Sequence, residues 1–151
     1  MSAVDDVTLR SATEADARGI RVLLEGSGLP TSDLRTARPD FVIADSGGRI
    51  IGAGAVERFG SAGLLRSVAV EAQWRGSGVG SRIVQELEER ARTGGISELV
   101  LLTLTARNFF ERLGYRAKSR EQVSASLLES TEFRSLCPAS AACMAKTLLP
   151  K

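Results

Sequence analysis

Arg75-Gly76-Ser77-Gly78-Val79-Gly80 is the run in this chain whose residue types most plainly suit chemistry. Glycines allow a backbone to approach a ligand closely, and consecutive N–H groups where a helix begins attract an anion, so a phosphate or pyrophosphate is the expected ligand. Two familiar nucleotide sites fit less well. A P-loop ends in Gly-Lys-Ser/Thr, whereas this run continues as Gly80-Ser81-Arg82. A dinucleotide fingerprint counted from Gly76 and Gly78 needs glycine at position 81, where Ser81 stands. Both readings weaken.

The rest of the composition narrows the chemistry further. The chain has no histidine, which removes Ser-His-Asp and Cys-His nucleophilic catalysis, His-ligated zinc and any imidazole acid or base. Carboxylates, hydroxyls, backbone groups, arginine or a bound cofactor are left. Cys137 and Cys143 are the only cysteines, too few for a disulfide framework or a four-thiolate zinc site. No metal site is expected; packing as small apolar side chains is the simpler reading, although two thiols could chelate a soft ion. Twenty basic against eighteen acidic residues leave a net charge of +2, with the arginines scattered among acids, so no nucleic-acid partner is expected. With 43% hydrophobic residues, the 151-residue chain suffices for one core, and residues 1–151 are read as one domain. No apolar run reaches the roughly 20 residues of a membrane span, and the opening Met1 to Asp6 has no signal-peptide character, so a soluble, cytoplasmic protein without membrane contact is expected.

The glycine run works only between a strand and a helix, and the neighbouring patterns supply both. Leu64 to Val70 reads as a strand. Gly78 to about Thr93 reads as a helix with Val79, Ile83, Val84, Leu87 and Ala91 on one face and i,i+4 pairs Glu86 with Arg90 and Glu88 with Arg92 on the outside. Upstream, Val7 and Leu9 begin a strand, and Thr13-Glu14-Ala15-Asp16 resembles a capping box opening a helix with Ala17, Ile20, Leu23 and Leu24 inward. A short helix is expected around Ser32 to Thr36. Phe41 to Ala44 and Ile50 to Val56 form a hairpin about Asp45-Ser46-Gly47-Gly48, with small residues 52–55 suited to close packing. Downstream come an apolar strand Leu99 to Leu104, a short helix Ala106 to Leu113, a strand from Tyr115, a helix near Glu121 to Leu128, an irregular stretch to about Ala139 and a last strand Ala142 to Leu148.

Arg75, Gly78 and Gly80 in this setting resemble the Arg/Gln-x-x-Gly-x-Gly/Ala signature of the GNAT N-acetyltransferases. Ser67-Val68-Ala69-Val70 is similar to the strand before that loop, and Phe109-Phe110-Glu111-Arg112-Leu113-Gly114-Tyr115 to the family's Tyr-Glu-Lys-Leu-Gly-Phe helix and strand. The resemblance covers about residues 5 to 120. It implies a mixed α/β fold, a central sheet of six or seven strands flanked by helices and splayed between strands 4 and 5, with acetyl-CoA as co-substrate. By the same resemblance, Arg75, Gly76, Ser77, Gly78, Val79, Gly80 and Ser81 hold the pyrophosphate. Val68, Val70, Asn108 and Phe110 lie along the rest of the cofactor, and the Val70 N–H polarises the thioester carbonyl.

An acceptor amine must lose a proton before it attacks, and Glu57 and Glu71 are the candidate bases. Phe110 stands where many relatives carry the tyrosine that protonates the thiolate, and phenylalanine cannot donate; Asn108, water or no dedicated acid then serves. Tyr115 is read as core. Leu65-Arg66-Ser67, Leu102 to Ala106 and the ending Ser135 to Met144 resemble both the small GNAT proteins associated with arsenic resistance and the acetyltransferase domain of N-acetylglutamate synthases. The resemblance implies a small amino-acid-like amine as acceptor, with Arg66 and Ser67 meeting its carboxylate, and leaves room for a homodimer. The alternative is a GNAT-fold module that binds coenzyme A as a sensor without turnover.

Overall fold

The computed structural model describes residues 6–130, 133 and 140–148. Its sheet contains β1 (Val7–Ser11), β2 (Asp40–Ser46), β3 (Arg49–Phe59), β4 (Ala62–Val70), β5 (Glu98–Thr103), β6 (Arg116–Ala117) and β7 (Ala142–Thr147) in the order β1-β2-β3-β4-β5-β7-β6. Every pairing is antiparallel except β4 with β5. The helices are α1 (Ala17–Gly26), α2 (Leu34–Ala37), α3 (Val79–Thr93), α4 (Arg107–Arg112) and α5 (Ala125–Leu128). Among the described residues, no helix is long and apolar enough to cross a membrane.

The sheet's two faces are covered differently. On one, Val79, Ile83, Val84, Leu87 and Ala91 of α3 join Val42, Ile51, Val56, Leu65, Leu99 and Leu101 in one apolar cluster. Gly52 and Gly54 let α3 lie close: a Cβ on Gly54 would sit 2.8 Å from Ile83 and 2.9 Å from Leu87. On the other face two clusters form, one under α1 (Ile20, Leu24, Ile43, Ala53, Ala69) and one under α5 (Leu64, Val100, Val123, Leu127, Phe133, Cys143).

Several expectations change in detail. β3 and β4 form one long hairpin, because only the turn around Gly60, at φ +66°, interrupts the ladder between Phe59 and Ala62. The helix expected over 121–128 is split into a 3-10 turn at Arg120–Gln122 and α5, since Val123 and Ser124 are extended, with ψ of 143° and 147°. Glu86 and Arg90 do pair at 2.8 Å, but Arg92 pairs with Glu89, and Glu88 turns inward. There its carboxylate takes the Tyr115 hydroxyl at 2.8 Å and Lys146 at 3.0 Å. Tyr115 is a core residue as expected, and burial, with the charge of Glu88, pushes its phenol far up.

Candidate functional site

β4 and β5 pair only at Ala62–Glu98, Gly63–Leu99 and Leu64–Val100; beyond these the strands separate, opening the expected gap. A bulge then re-aims β4. Ala55 pairs with Arg66 and Ala53 with Ala69, so Gly54 alone opposes Ser67 and Val68. Ser67 is the residue that absorbs the insertion, at φ +60° and 7% exposed, a conformation costing a non-glycine residue roughly 1–3 kcal/mol. Because side chains alternate along a strand, one extra residue reverses the alternation. Before it Leu64 and Arg66 face α1 and α5; after it Val68 and Val70 face α3.

The ladder also orients the backbone. The Glu71 N–H bonds the Ile51 carbonyl at 2.8 Å, and Val70 pairs with Gly52. Alternation in an antiparallel ladder therefore turns the Val70 N–H and C=O away from β3, toward the gap. Arg75 Nε occupies that carbonyl at 3.1 Å.

The glycine run connects this strand end to α3. Gly76 (φ +80°) and Gly78 (φ +91°) need the left-handed region, and a Cβ on either would meet nothing within 4 Å, so open space lies above both. The Ser77 hydroxyl donates to the Trp74 carbonyl and fixes the turn. The helical ladder starts with the Arg82 N–H on the Gly78 carbonyl at 3.1 Å, which leaves the N–H groups of Val79, Gly80 and Ser81 ahead of it as first-turn donors. This arrangement fits a pyrophosphate at the helix start and an extended arm along β4.

The aromatic that touches the run is Phe109, whose ring lies 3.3 Å from where a Gly80 Cβ would be. Its signal in the sequence is its place beside Phe110 in the motif. Phe110 is 6% exposed, its ring edge-on to Phe109 at 5.0 Å and to Tyr115 at 5.6 Å. Asn108 is exposed on the outward side of α4, in an open depression with Glu111, Arg112 and Arg116. The structure thus brings Val68, Val70 and the run together, and sets Asn108 apart.

Arg66 and Glu57 meet on the other face, together with a residue that sequence reasoning missed. Asp33, at the start of α2, holds Arg66 with both carboxylate oxygens at 2.6 Å, and Glu57 takes the same guanidinium at 3.1 Å. The cluster lies between the α1 and α5 apolar clusters, with the Arg66 side chain 0% exposed. Glu71 is engaged elsewhere, by Arg49 at 2.8 Å. Cys143 is buried with its thiol pushed up chiefly by burial, and Cys137 lies outside the described residues. Among the described residues no group of His, Cys, Asp or Glu is placed to hold a metal.

Comparison with known proteins matches residues 37–117 to the acetyltransferase (GNAT) domain. An uncharacterised N-acetyltransferase of Chlorobaculum tepidum is 30% identical, across 95% of this chain and 97% of that protein. An amino-acid acetyltransferase of Pseudomonas aeruginosa is 32% identical over 57% of this chain and 20% of its own length. Among solved structures, the N-acetylglutamate synthase of Neisseria gonorrhoeae with coenzyme A and N-acetyl-glutamate shares the fold at a TM-score of 0.81 and 22% identity; it covers 95% of this chain, which spans 35% of that one. A Mycobacterium tuberculosis protein solved with CoA and NLQ is 25% identical over 94% of this chain, at a TM-score of 0.79. The chain belongs to the GNAT family, as an N-acetyltransferase with acetyl-CoA as its co-substrate.

Proposed function

We propose that the chain transfers acetyl to the amino group of a small amino-acid-like acceptor, an acidic amino acid or an amino-acid-like arsenical that would tie it to arsenic resistance. The observation that carries this reading is the place of the Arg66 cluster, at the mouth of the β4–β5 gap and on the face opposite α3. A cofactor arm entering from the glycine run and an acceptor arriving over Arg66 then meet across β4. The similarity to amino-acid acetyltransferases of Pseudomonas supports the acceptor class.

In this reading the N–H groups from Arg75 to Ser81 hold the pyrophosphate, Val68 and Phe110 pack beside the arm, and the Val70 N–H stabilises charge on the thioester oxygen. Arg66 and Ser67 form the acceptor side, and Glu57 is the base. Asn108 stands apart on the outer side of α4, so water takes the place of a dedicated acid. A coenzyme A thiolate is a tolerable leaving group near neutral pH, so the buried Phe110 does not block turnover.

The test is thiol release from acetyl-CoA with a panel of amines that includes L-glutamate and amino-acid-like arsenicals. Release with amino acids and not with simple alkylamines is the expected result; silence with every amino-acid-like acceptor would end this reading. Saturating acetyl-CoA, but not free acetate, is expected to raise the melting temperature whichever acceptor is used.

A further inference from the structure

The geometry points to a carboxylate exchange at Arg66: the acceptor's α-carboxylate replaces Glu57 on the guanidinium, and the Glu57 so released takes the acceptor's ammonium proton. The exchange rests on the amino-acid acceptor proposed above and says how that acceptor activates its own base.

The two carboxylates on Arg66 are held unequally. Asp33 makes two bonds of 2.6 Å with a side chain 4% exposed; Glu57 makes one of 3.1 Å with a side chain 14% exposed. Glu57 is therefore both the more weakly bonded partner and the one nearer to solvent. Asp33 is anchored in turn, because its carbonyl takes the N–H groups of Thr36 and Ala37 at 3.1 and 2.8 Å and so fixes it as α2 begins.

Charge counting gives the direction. Among the described residues the cluster holds one cation and two anions, and the bidentate pair with Asp33 already balances Arg66. An incoming carboxylate at the Glu57 position swaps like for like and leaves that count unchanged. The displaced Glu57 then needs a cation, and the acceptor's ammonium, joined to its carboxylate through a single carbon, arrives beside it. Its proton passes to Glu57 and on to solvent. The free amine attacks the thioester carbon, the C–N bond forms and the C–S bond breaks; the sulfur leaves with the bonding pair and takes up a second proton from the nitrogen. Asp33 is a positioning residue in this scheme, acting through Arg66.

The deciding measurement is thiol release by the full-length wild type with L-glutamate, its α-carboxamide isoglutamine, and 4-aminobutyrate, which lacks the α-carboxylate. The expected kcat/KM for the last two is about 100-fold lower, with kcat falling as well as KM rising, since Glu57 stays on Arg66. Glu57→Gln is expected to lower kcat for glutamate without raising its KM. Asp33→Asn is expected to raise the KM for glutamate about 10-fold while that for acetyl-CoA holds, because Glu57 then competes harder for Arg66. Isoglutamine turned over as well as glutamate, or both KM values rising together in Asp33→Asn, overturns the exchange. If Asp33→Asn does not fold, the acid-against-amide comparison in the wild type still decides. Silence with all acceptors removes the acceptor class itself, and equal release from all three removes only the exchange.

Discussion

The two faces of the sheet solve the same packing problem with different materials. Under α3 a single apolar cluster runs from Val79 to Ala91 and down to the strands, and the backbone is thinned by Gly52 and Gly54 so that the helix can approach. Opposite it, the apolar surface is broken in two, and a buried arginine with two carboxylates fills the break. A face built from methyl groups gains from every square ångström covered. A buried ion cluster gains little or nothing over an apolar replacement of the same volume, and loses heavily when half of it is removed. The α3 face is thus explained by stability, and the Arg66 face asks for a functional reason.

The sharpest way to break that contrast is Arg66→Ala, which strands Asp33 and Glu57 beside each other with no other counter-charge among the described residues. The expected loss is about 3–5 kcal/mol in urea unfolding. Arg66→Met combined with Asp33→Leu and Glu57→Leu is expected to regain most of it while abolishing thiol release. A triple variant as unstable as the single one would mean that the cluster is held for packing, and the contrast between the faces would fall.

On the α3 face the corresponding probe is Gly54→Ala. Its new methyl would meet Ile83 and Leu87 at under 3 Å, and both side chains are buried, at 0% and 2% exposure. Overpacking of this kind costs about 1–3 kcal/mol, read as a lower melting temperature with the acetyl-CoA KM little changed. An unchanged melting temperature would show that α3 can lift off the sheet freely, and that close packing is not what the glycines provide.

The same contrast governs how much could be read from the residues in order. The stripe of α3 and the glycine run are local patterns: each is set by neighbours within a few positions, and both formed where their spacing put them. Sequence also anticipated the gap between the fourth and fifth strands through family resemblance. What escaped was non-local. Asp33 lies 33 positions from Arg66 and looks like an ordinary loop acid until the chain folds. Glu88 reads as an i,i+4 partner of Arg92, yet it lies four residues after Val84 and three before Ala91, at the edge of the apolar stripe, and Tyr115 and Lys146 from the far end of the sheet hold it inside. The bulge at Ser67 leaves no signal, because Leu64-Leu65-Arg66-Ser67-Val68 is compatible with either alternation, and only the pairing with β3 shows the extra residue.

The smallest effect concerns a second buried carboxylate on the Arg66 face, one whose arginine partner is part-exposed. Asp16, just before α1, accepts Arg10 at 2.9 and 3.0 Å, the Thr13 N–H at 2.7 Å and the Thr13 hydroxyl at 3.1 Å. The Arg10 guanidinium and these Thr13 bonds hold its carboxyl well below the usual carboxylate range. In the unfolded chain the same group takes up a proton near about pH 4. Asp16 therefore contributes stability that is whole above that pH and drains away as the pH falls toward the folded-state value. Asp16→Asn is expected to be less stable than the wild type at neutral pH, and the gap between their urea midpoints is expected to narrow on acidification below about pH 4. A gap that stays constant through that range would mean the bonds of Asp16 act through shape and not through charge.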